Sequence, residues 1–399
     1  LEVLAACFFR DGGNATEEFT DFLTSYPDAR RYARFRAVCD RLRAPWPRWP
    51  AALRDGRIAD GDYDERAYRT HLYAQFLMHR QLAGLGAAAR KSGARLYLDL
   101  PLGVHGHGYD VWAYRDLFAA DMSAGAPPDP FISTGQDWGF PPIRPLELRE
   151  RGHDYFIRSI RTHLRYAGAL RLDHVMSLHR LFWVPHGRAP TEGVYVRYPA
   201  DELYAILTLE SRRHSALLIG EDLGTVPPAV RRRMDRHGLR RMWVGQFEFG
   251  TDPDHAIPTP PERAIATLNT HDMPTFLGWW RGDDIDGRQQ LGWLDGGAAD
   301  RDRAWRGAQR NALIERLRRD GLLTDDTPAH ALLALLRRLA AGPAEIVLVN
   351  LEDLWGETRP HNIPGTWRER PNWRRRARLS LSEFGKAADV RAAVAALRR

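Results

Sequence analysis

Lysine is nearly absent from this sequence. Of 58 basic residues only Lys91 and Lys386 are lysine, so arginine carries almost all of the positive charge. The balance against 51 acids is +7. The arginines are spread along the chain, with short clusters only at Arg231 to Arg233 and Arg374 to Arg376. A groove for nucleic acid calls for basic blocks interleaved with aromatics, so no nucleic-acid partner is expected. Cysteine is as scarce: Cys7 and Cys39 cannot build a disulfide scaffold or a Cys-rich metal site. No apolar run approaches the roughly 18 residues that a membrane helix needs. No G-x-G-x-x-G and no P-loop lysine motif is present, which argues against a nucleotide-binding sheet. What is there is 399 residues, 44% of them hydrophobic. That is enough for a large core and excludes a wholly disordered chain.

The first 92 residues read as mostly helical. From Asp62 to Arg90 there is no proline, and Leu72, Phe76, Leu77 and Met78 fall in a pattern of threes and fours, with Gly93 as the stop signal. The segment Ala44 to Pro50 (APWPRWP) holds three prolines and two tryptophans, and reads as an irregular connection. From Ala94 the pattern changes to short apolar runs that end in acids. They are Leu96 to Asp99, Leu170 to Asp173, Leu217 to Glu221, Ile265 to Asp272 and Ile346 to Asp353; Met242 to Phe249 is a sixth run without a terminal acid. Near-continuous apolar runs suit buried parallel strands. Helical stretches such as Pro199 to Arg213 and Arg303 to Arg319 lie between them. This alternation, with acids at strand tips, predicts an α/β fold of the (β/α)₈ barrel kind. Six strands are found where eight are needed, and all lie after residue 93.

Three constellations carry chemistry. In Arg171-Leu172-Asp173-His174 the arginine and aspartate are two apart, so both project from one face of a strand. A rim salt bridge and a catalytic carboxylate fit that spacing equally. In Gly220-Glu221-Asp222-Leu223-Gly224 the adjacent acids point to opposite sides, one toward a pocket and one toward a helix, or both are solvated loop acids. In Thr270-His271-Asp272-Met273-Pro274-Thr275, followed by Trp279-Trp280, a metal lacks a second ligand at the right spacing and a triad lacks its serine elbow. The tryptophans suit either a ligand with flat apolar faces or core packing. Three strand-tip acids together suit glycosyl transfer, which needs one charged and one protonated carboxyl set apart by environment. The 13 Trp, 13 Tyr and 15 Phe are compatible with sugar stacking.

Six stretches then make a specific pattern. They are Asp99 to Trp112 (DLPLGVHGHGYDVW), Ala126 to Pro141 (APPDPFISTGQDWGFP), Leu170 to Pro185 (LRLDHVMSLHRLFWVP), Gly220 to Pro227 (GEDLGTVP), Thr270 to Gly282 (THDMPTFLGWWRG), and Asn350 to Trp373 with Glu352-Asp353 and Asn362-Ile363-Pro364-Gly365-Thr366. In this order they resemble glycoside hydrolase family 77, the 4-α-glucanotransferases or amylomaltases, over about residues 30 to 399. The resemblance implies an α-amylase-type barrel over 93–399, with residues 1–92 as a helical insertion subdomain. It implies a retaining double displacement on α-1,4-glucan, with maltooligosaccharides as substrates. Asp173 matches the nucleophile, Glu221 the general acid/base and Asp272 the transition-state stabiliser. Arg171 and His271 match donor-sugar contacts. Asp129, Gln136 and Trp138 lie where the family touches glucan, and Asn362, Pro364 and Gly365 match a loop beside the donor site. No metal or organic cofactor and a cytoplasmic location are implied.

The front of the chain departs from the family pattern. The family begins its barrel with two strands before the helical insertion, and nothing in residues 1 to 93 resembles them. Residue 1 is Leu rather than Met. The expectation is an N-terminally truncated copy, with two open strand edges and little or no activity. An amylase-like hydrolase and an inactive glucan-binding remnant are the other readings.

Overall fold

The computed structural model describes residues 1–128 and 134–398. Backbone contacts divide the chain into two compact units, Leu1–Leu239 and Arg240–Arg399. Each has its own parallel sheet and its own core.

The first unit opens with helices. The longest, Glu65–Lys91, starts where the Asp64 carboxylate accepts the Ala67 N–H at 2.8 Å. It ends at Ser92, and Gly93 at φ 77° turns the chain away in the left-handed region that glycine tolerates best. Leu72 and Phe76 bury one face of it against Phe19 and Phe22. Met78, expected on that face, is instead exposed. The proline-rich segment holds one short turn, Trp46–Arg48, and Trp49 packs its ring 5.3 Å from Phe35.

Among the described residues seven strands follow in this unit: β1 (Tyr97–Leu100), β2 (Met122–Ala126), β3 (Gln136–Asp137), β4 (Ala169–Leu172), β5 (Arg180–Pro185), β6 (Val194–Arg197) and β7 (Leu217–Gly220). The parallel sheet has the order β1-β4-β7, and its central strand is buried at all four positions. Leu170, Leu172, Leu203, Leu207, Ile160 and Met234 form the core against it. A fully buried leucine is worth about 1.5–3 kcal/mol, so this layer fixes the strands firmly. The second sheet, antiparallel with order β3-β2-β5-β6, has no counterpart in the sequence reading. β3 is two residues long and β6 is mostly exposed, so neither length nor burial marks these two.

The second unit holds β8 (Arg241–Val244), β9 (Ala264–Thr267) and β10 (Ile346–Val347), parallel and in the order β10-β9-β8. Helices Gly296–Arg319 and Pro328–Ala341 supply Leu313, Leu317, Leu335 and Leu336 to its core. Three expected runs stop short of their ends. After Val244 the chain turns into Gly245–Glu248, a single helical turn. After Thr267 and after Val347 it leaves the sheet well before Asp272 and Asp353. One backbone bond continues past these ends on each side, from the Gln246 N–H to the Leu268 carbonyl at 3.0 Å and from the Leu348 N–H to the Ala266 carbonyl at 2.8 Å. Past Leu268 polar side chains, described below, tie the chain.

Candidate active site

In the first unit the strand register sets the geometry. Asp99 on β1 stands opposite Arg171 on β4. Arg171 Nη1 donates to both Asp99 oxygens, at 2.9 and 3.0 Å. Its Nη2 lies 2.9 Å from Asp173 Oδ1. Arg171 is only 8% exposed, so its charge is matched by two carboxylates rather than by water. Burial pulls its basicity down, but Asp99 and Asp173 outweigh it and raise it. Asp173 follows β4 directly, two residues after Arg171 and on the same face, as the period of two requires. His174 then takes the left-handed conformation, at φ 47° and ψ 63°. Burial lowers the basicity of its imidazole, against the charge of Asp173.

Glu221 follows β7 directly. Its Oε2 accepts the His174 N–H at 3.0 Å and its Oε1 accepts the Leu223 N–H at 2.8 Å. The Val175 N–H reaches the Glu221 carbonyl at 3.1 Å, so the two strand-end loops are laced together. Burial raises the Glu221 carboxyl above its ordinary value, and the charge of Asp173 adds to that; the Leu223 N–H and Arg171 pull the other way and lose. Asp222 points away from Glu221, is buried, and pairs with Arg231 on the Pro228–His237 helix at 3.0 Å. Adjacent acids therefore take opposite sides, as the strand pattern expects.

Two of the expected glucan contacts join this cluster. Trp138 donates from Nε1 to Gln136 Oε1 at 3.2 Å. Its ring stands edge-on to His174 at 5.2 Å and stacks on Phe140 at 6.2 Å. Asp129 lies outside the described residues.

In the second unit Asp272 sits on the loop after β9 and is exposed. His271 Nε2 lies 3.3 Å from its Oδ2, and Asn362 Nδ2 donates to its Oδ1 at 2.6 Å. Asn362 begins a loop that Asn372 ties down: its Oδ1 accepts the Ile363 N–H at 3.1 Å and its Nδ2 donates to the Thr366 carbonyl at 3.1 Å. Pro364 and Gly365 lie inside that loop, and Gly365 at φ 83° makes the turn. The paired tryptophans after Asp272 are core residues: Trp279 and Trp280 are 2% and 3% exposed. The exposed ring nearby is Trp373, which stacks on His361 at 6.0 Å and lies 5.7 Å from His271.

Beneath the loop runs a buried polar network that the sequence reading missed. Asp353 Oδ2 accepts from Asn269 Nδ2 at 3.0 Å, and Oδ1 accepts the Phe276 N–H at 2.7 Å. Asn350 donates to Asn269 Oδ1. The Pro274 carbonyl accepts from Gln246 Nε2 at 3.0 Å and from Asn269 Nδ2 at 3.2 Å. Burial pushes the Asp353 carboxyl up to about 7, although both donors favour its charge. Asp353 was visible as the acid closing the Ile346 run, but no local signal ties it to Asn269. Among the described residues no group of three or more His, Cys, Asp or Glu is arranged to hold a metal ion, and no helix is long and apolar enough to cross a membrane.

The comparisons with known proteins follow the same lines. The family model described as 4-alpha-glucanotransferase, of glycoside hydrolase family 77, matches residues 1–381. A 4-alpha-glucanotransferase of Mycobacterium bovis is 39% identical over 357 residues, covering 86% of this chain and 49% of that protein. One from Haemophilus influenzae is 37% identical over 312 residues, covering 75% of this chain and 45% of its own. The chain thus spans about half the length of the curated relatives it matches. The crystal structure of amylomaltase from Corynebacterium glutamicum superposes with a TM-score of 0.83 at 27% identity, over 96% of this chain and 56% of that one. Amylomaltase from Streptococcus agalactiae in complex with acarbose is similar in fold, with a TM-score of 0.77 at 21% identity. The chain belongs to glycoside hydrolase family 77, the 4-alpha-glucanotransferase family.

Proposed function

We propose that the protein transfers α-1,4-glucan segments between maltooligosaccharides by a retaining double displacement. In this reading residues 1–92 are a helical insertion and the reacting groups fall in 93–399. Asp173 attacks the anomeric carbon and forms the covalent glucosyl intermediate. Glu221 gives its proton to the departing O4 oxygen, then takes one from the 4-hydroxyl of the acceptor. Asp272 binds sugar hydroxyls and stabilises the oxocarbenium-like transition state, helped by Arg171 and His271. Gln136 and Trp138 line the glucan path, and Asn362, Pro364 and Gly365 shape the loop beside Asp272. The chemistry is assigned to side chains, without a metal or organic cofactor.

The observation that carries this reading is the contrast around Glu221. A general acid must have a proton to give, and burial raises this carboxyl in that direction. Asp173, on the neighbouring strand end, is instead paired with the buried guanidinium of Arg171. Two carboxyl groups in such different surroundings suit a nucleophile and an acid/base.

The test is the product pattern from maltotriose. A transferase releases glucose and builds maltotetraose and longer chains. A hydrolase yields glucose and maltose alone, and that result would replace the acceptor sugar with water in the scheme. No turnover at all, with retained glucan binding, would make the chain a binding remnant.

A further inference from the structure

The Thr270–Met273 segment that carries Asp272 has no sheet to hold it. β9 ends at Thr267, and the next regular element is the short helix Phe276–Arg281. Buried side chains close the segment instead: Gln246 and Asn269 donate to the Pro274 carbonyl, and one carboxylate joins the two ends. Asp353 accepts from Asn269, just before the segment, and from the Phe276 N–H, just after it. Asn269 in turn reaches across to the Pro274 carbonyl, and the Thr267 hydroxyl donates to the Asn269 carbonyl at 2.9 Å. Asp353 and Asn269 are 4% and 1% exposed, so no water competes for these bonds.

We infer that Asp353 is a positioning residue for the transfer reaction: it clamps both ends of the loop that presents Asp272. The inference rests on the role of Asp272 proposed above. Asp353 is buried and is assigned no contact with sugar. Each of its oxygens faces a donor, Asn269 Nδ2 or the Phe276 N–H, so the site is built for an acceptor on both sides. An amide at this position would turn an N–H₂ toward one donor and lose that bond. With one end released, the loop samples positions in which Asp272 is misplaced. A misplacement of about 1 Å, caused away from the chemistry, can cost about 100-fold in rate.

The experiment compares the full chain with Asp353→Asn, Asn269→Ala and the double variant. Two readouts are taken on each: kcat and KM for maltotriose, and amide hydrogen exchange by segment. In either single variant kcat should fall about 10- to 100-fold, while KM stays within about twofold. The double variant should be no worse than the poorer single one, because both cut the same clamp. Exchange should speed up in residues 268–276 and stay unchanged in the helices Gly296–Arg319 and Pro328–Ala341. Faster exchange throughout residues 240–398, with a large drop in melting temperature, would mean that Asp353 merely holds the core, and would overturn the inference. So would unchanged exchange over 268–276, or a kcat close to that of the parent chain. If the parent chain itself does not turn over maltotriose, the transferase reading fails, and the exchange pattern alone decides the clamp.

Discussion

Asp173 and Glu221 stand one residue past β4 and β7, whereas Asp272 stands five residues past β9. The first pair inherits its geometry from a hydrogen-bonded register. Asp99 faces Arg171 across β1 and β4, and Arg171 passes that order on to Asp173. Glu221 is drawn in by two backbone N–H groups and is largely desolvated. Asp272 is placed differently. It is exposed, and it is held by the exposed His271 and the half-buried Asn362. Its loop owes its shape to a carboxylate far along the chain, Asp353. The difference suits the tasks proposed. A nucleophile needs a fixed position, which pairing with Arg171 supplies, and a proton donor is favoured by burial, which raises Glu221. A group that grips sugar hydroxyls needs reach and access, which a clamped loop supplies.

The comparison can be broken most sharply at Asp173. If Asp173 forms the covalent bond, Asp173→Asn should lower kcat on maltotriose by about 10⁴-fold or more, roughly 5.5 kcal/mol of barrier. Arg171→Lys should fall between Asp173→Asn and the parent. A lysine can approach one carboxylate but cannot bridge Asp99 and Asp173 with a planar fork, so a loss of about 100-fold is expected. Steady-state kinetics decides both. An Asp173→Asn enzyme within tenfold of the parent would end the assignment of the nucleophile.

A smaller effect is expected in the second unit. Asn362→Ala removes the 2.6 Å bond to Asp272 by truncating a half-buried side chain. One hydrogen bond to a charged group is worth about 1.5–3 kcal/mol at most, and exposure lowers that. We expect kcat to fall about fivefold to tenfold, with the melting temperature unchanged. A lowered melting temperature with intact kcat would show that Asn362 braces its own loop and does not serve Asp272.

The same contrast explains what could be read from the sequence. Leu170-Arg171-Leu172-Asp173 states its own geometry, because alternation along a strand puts Arg171 and Asp173 together without knowledge of any other segment. Glu221-Asp222 likewise splits to two sides, and Asp222 does reach a helix, through Arg231. The ends of the runs were less legible. Thr267 and Val347 end their strands ahead of Asn269, Asn350 and Asp353, whose side chains bond one another there. Asn269 and Asp353 are 84 residues apart, so no local period links them. Trp279 and Trp280 had two readings, and packing decided for the core. The small antiparallel sheet escaped because strands such as Gln136–Asp137 are too short to show a period.

The subtlest expected effect concerns Glu221 and pH. Burial raises its carboxyl in the folded chain above the 4.5 of an open one. Between those two values the folded state binds more protons than the unfolded state. The stability that Glu221 contributes is therefore fully present below pH 4.5 and is lost as pH rises through the folded value. Glutamine does not titrate. Glu221→Gln also gives up one of the two N–H contacts, at His174 or Leu223, but that cost is the same at every pH. The melting temperature of Glu221→Gln, minus that of the parent, should thus move upward from pH 4.5 to pH 8, by a few degrees at most. Thermal scans of both proteins across that range measure it. A difference that stays flat would mean that burial does not hold the Glu221 proton, and the feature separating it from Asp173 would be lost. A rising difference, together with lost turnover, would show that the acid/base is kept at a cost in stability at neutral pH.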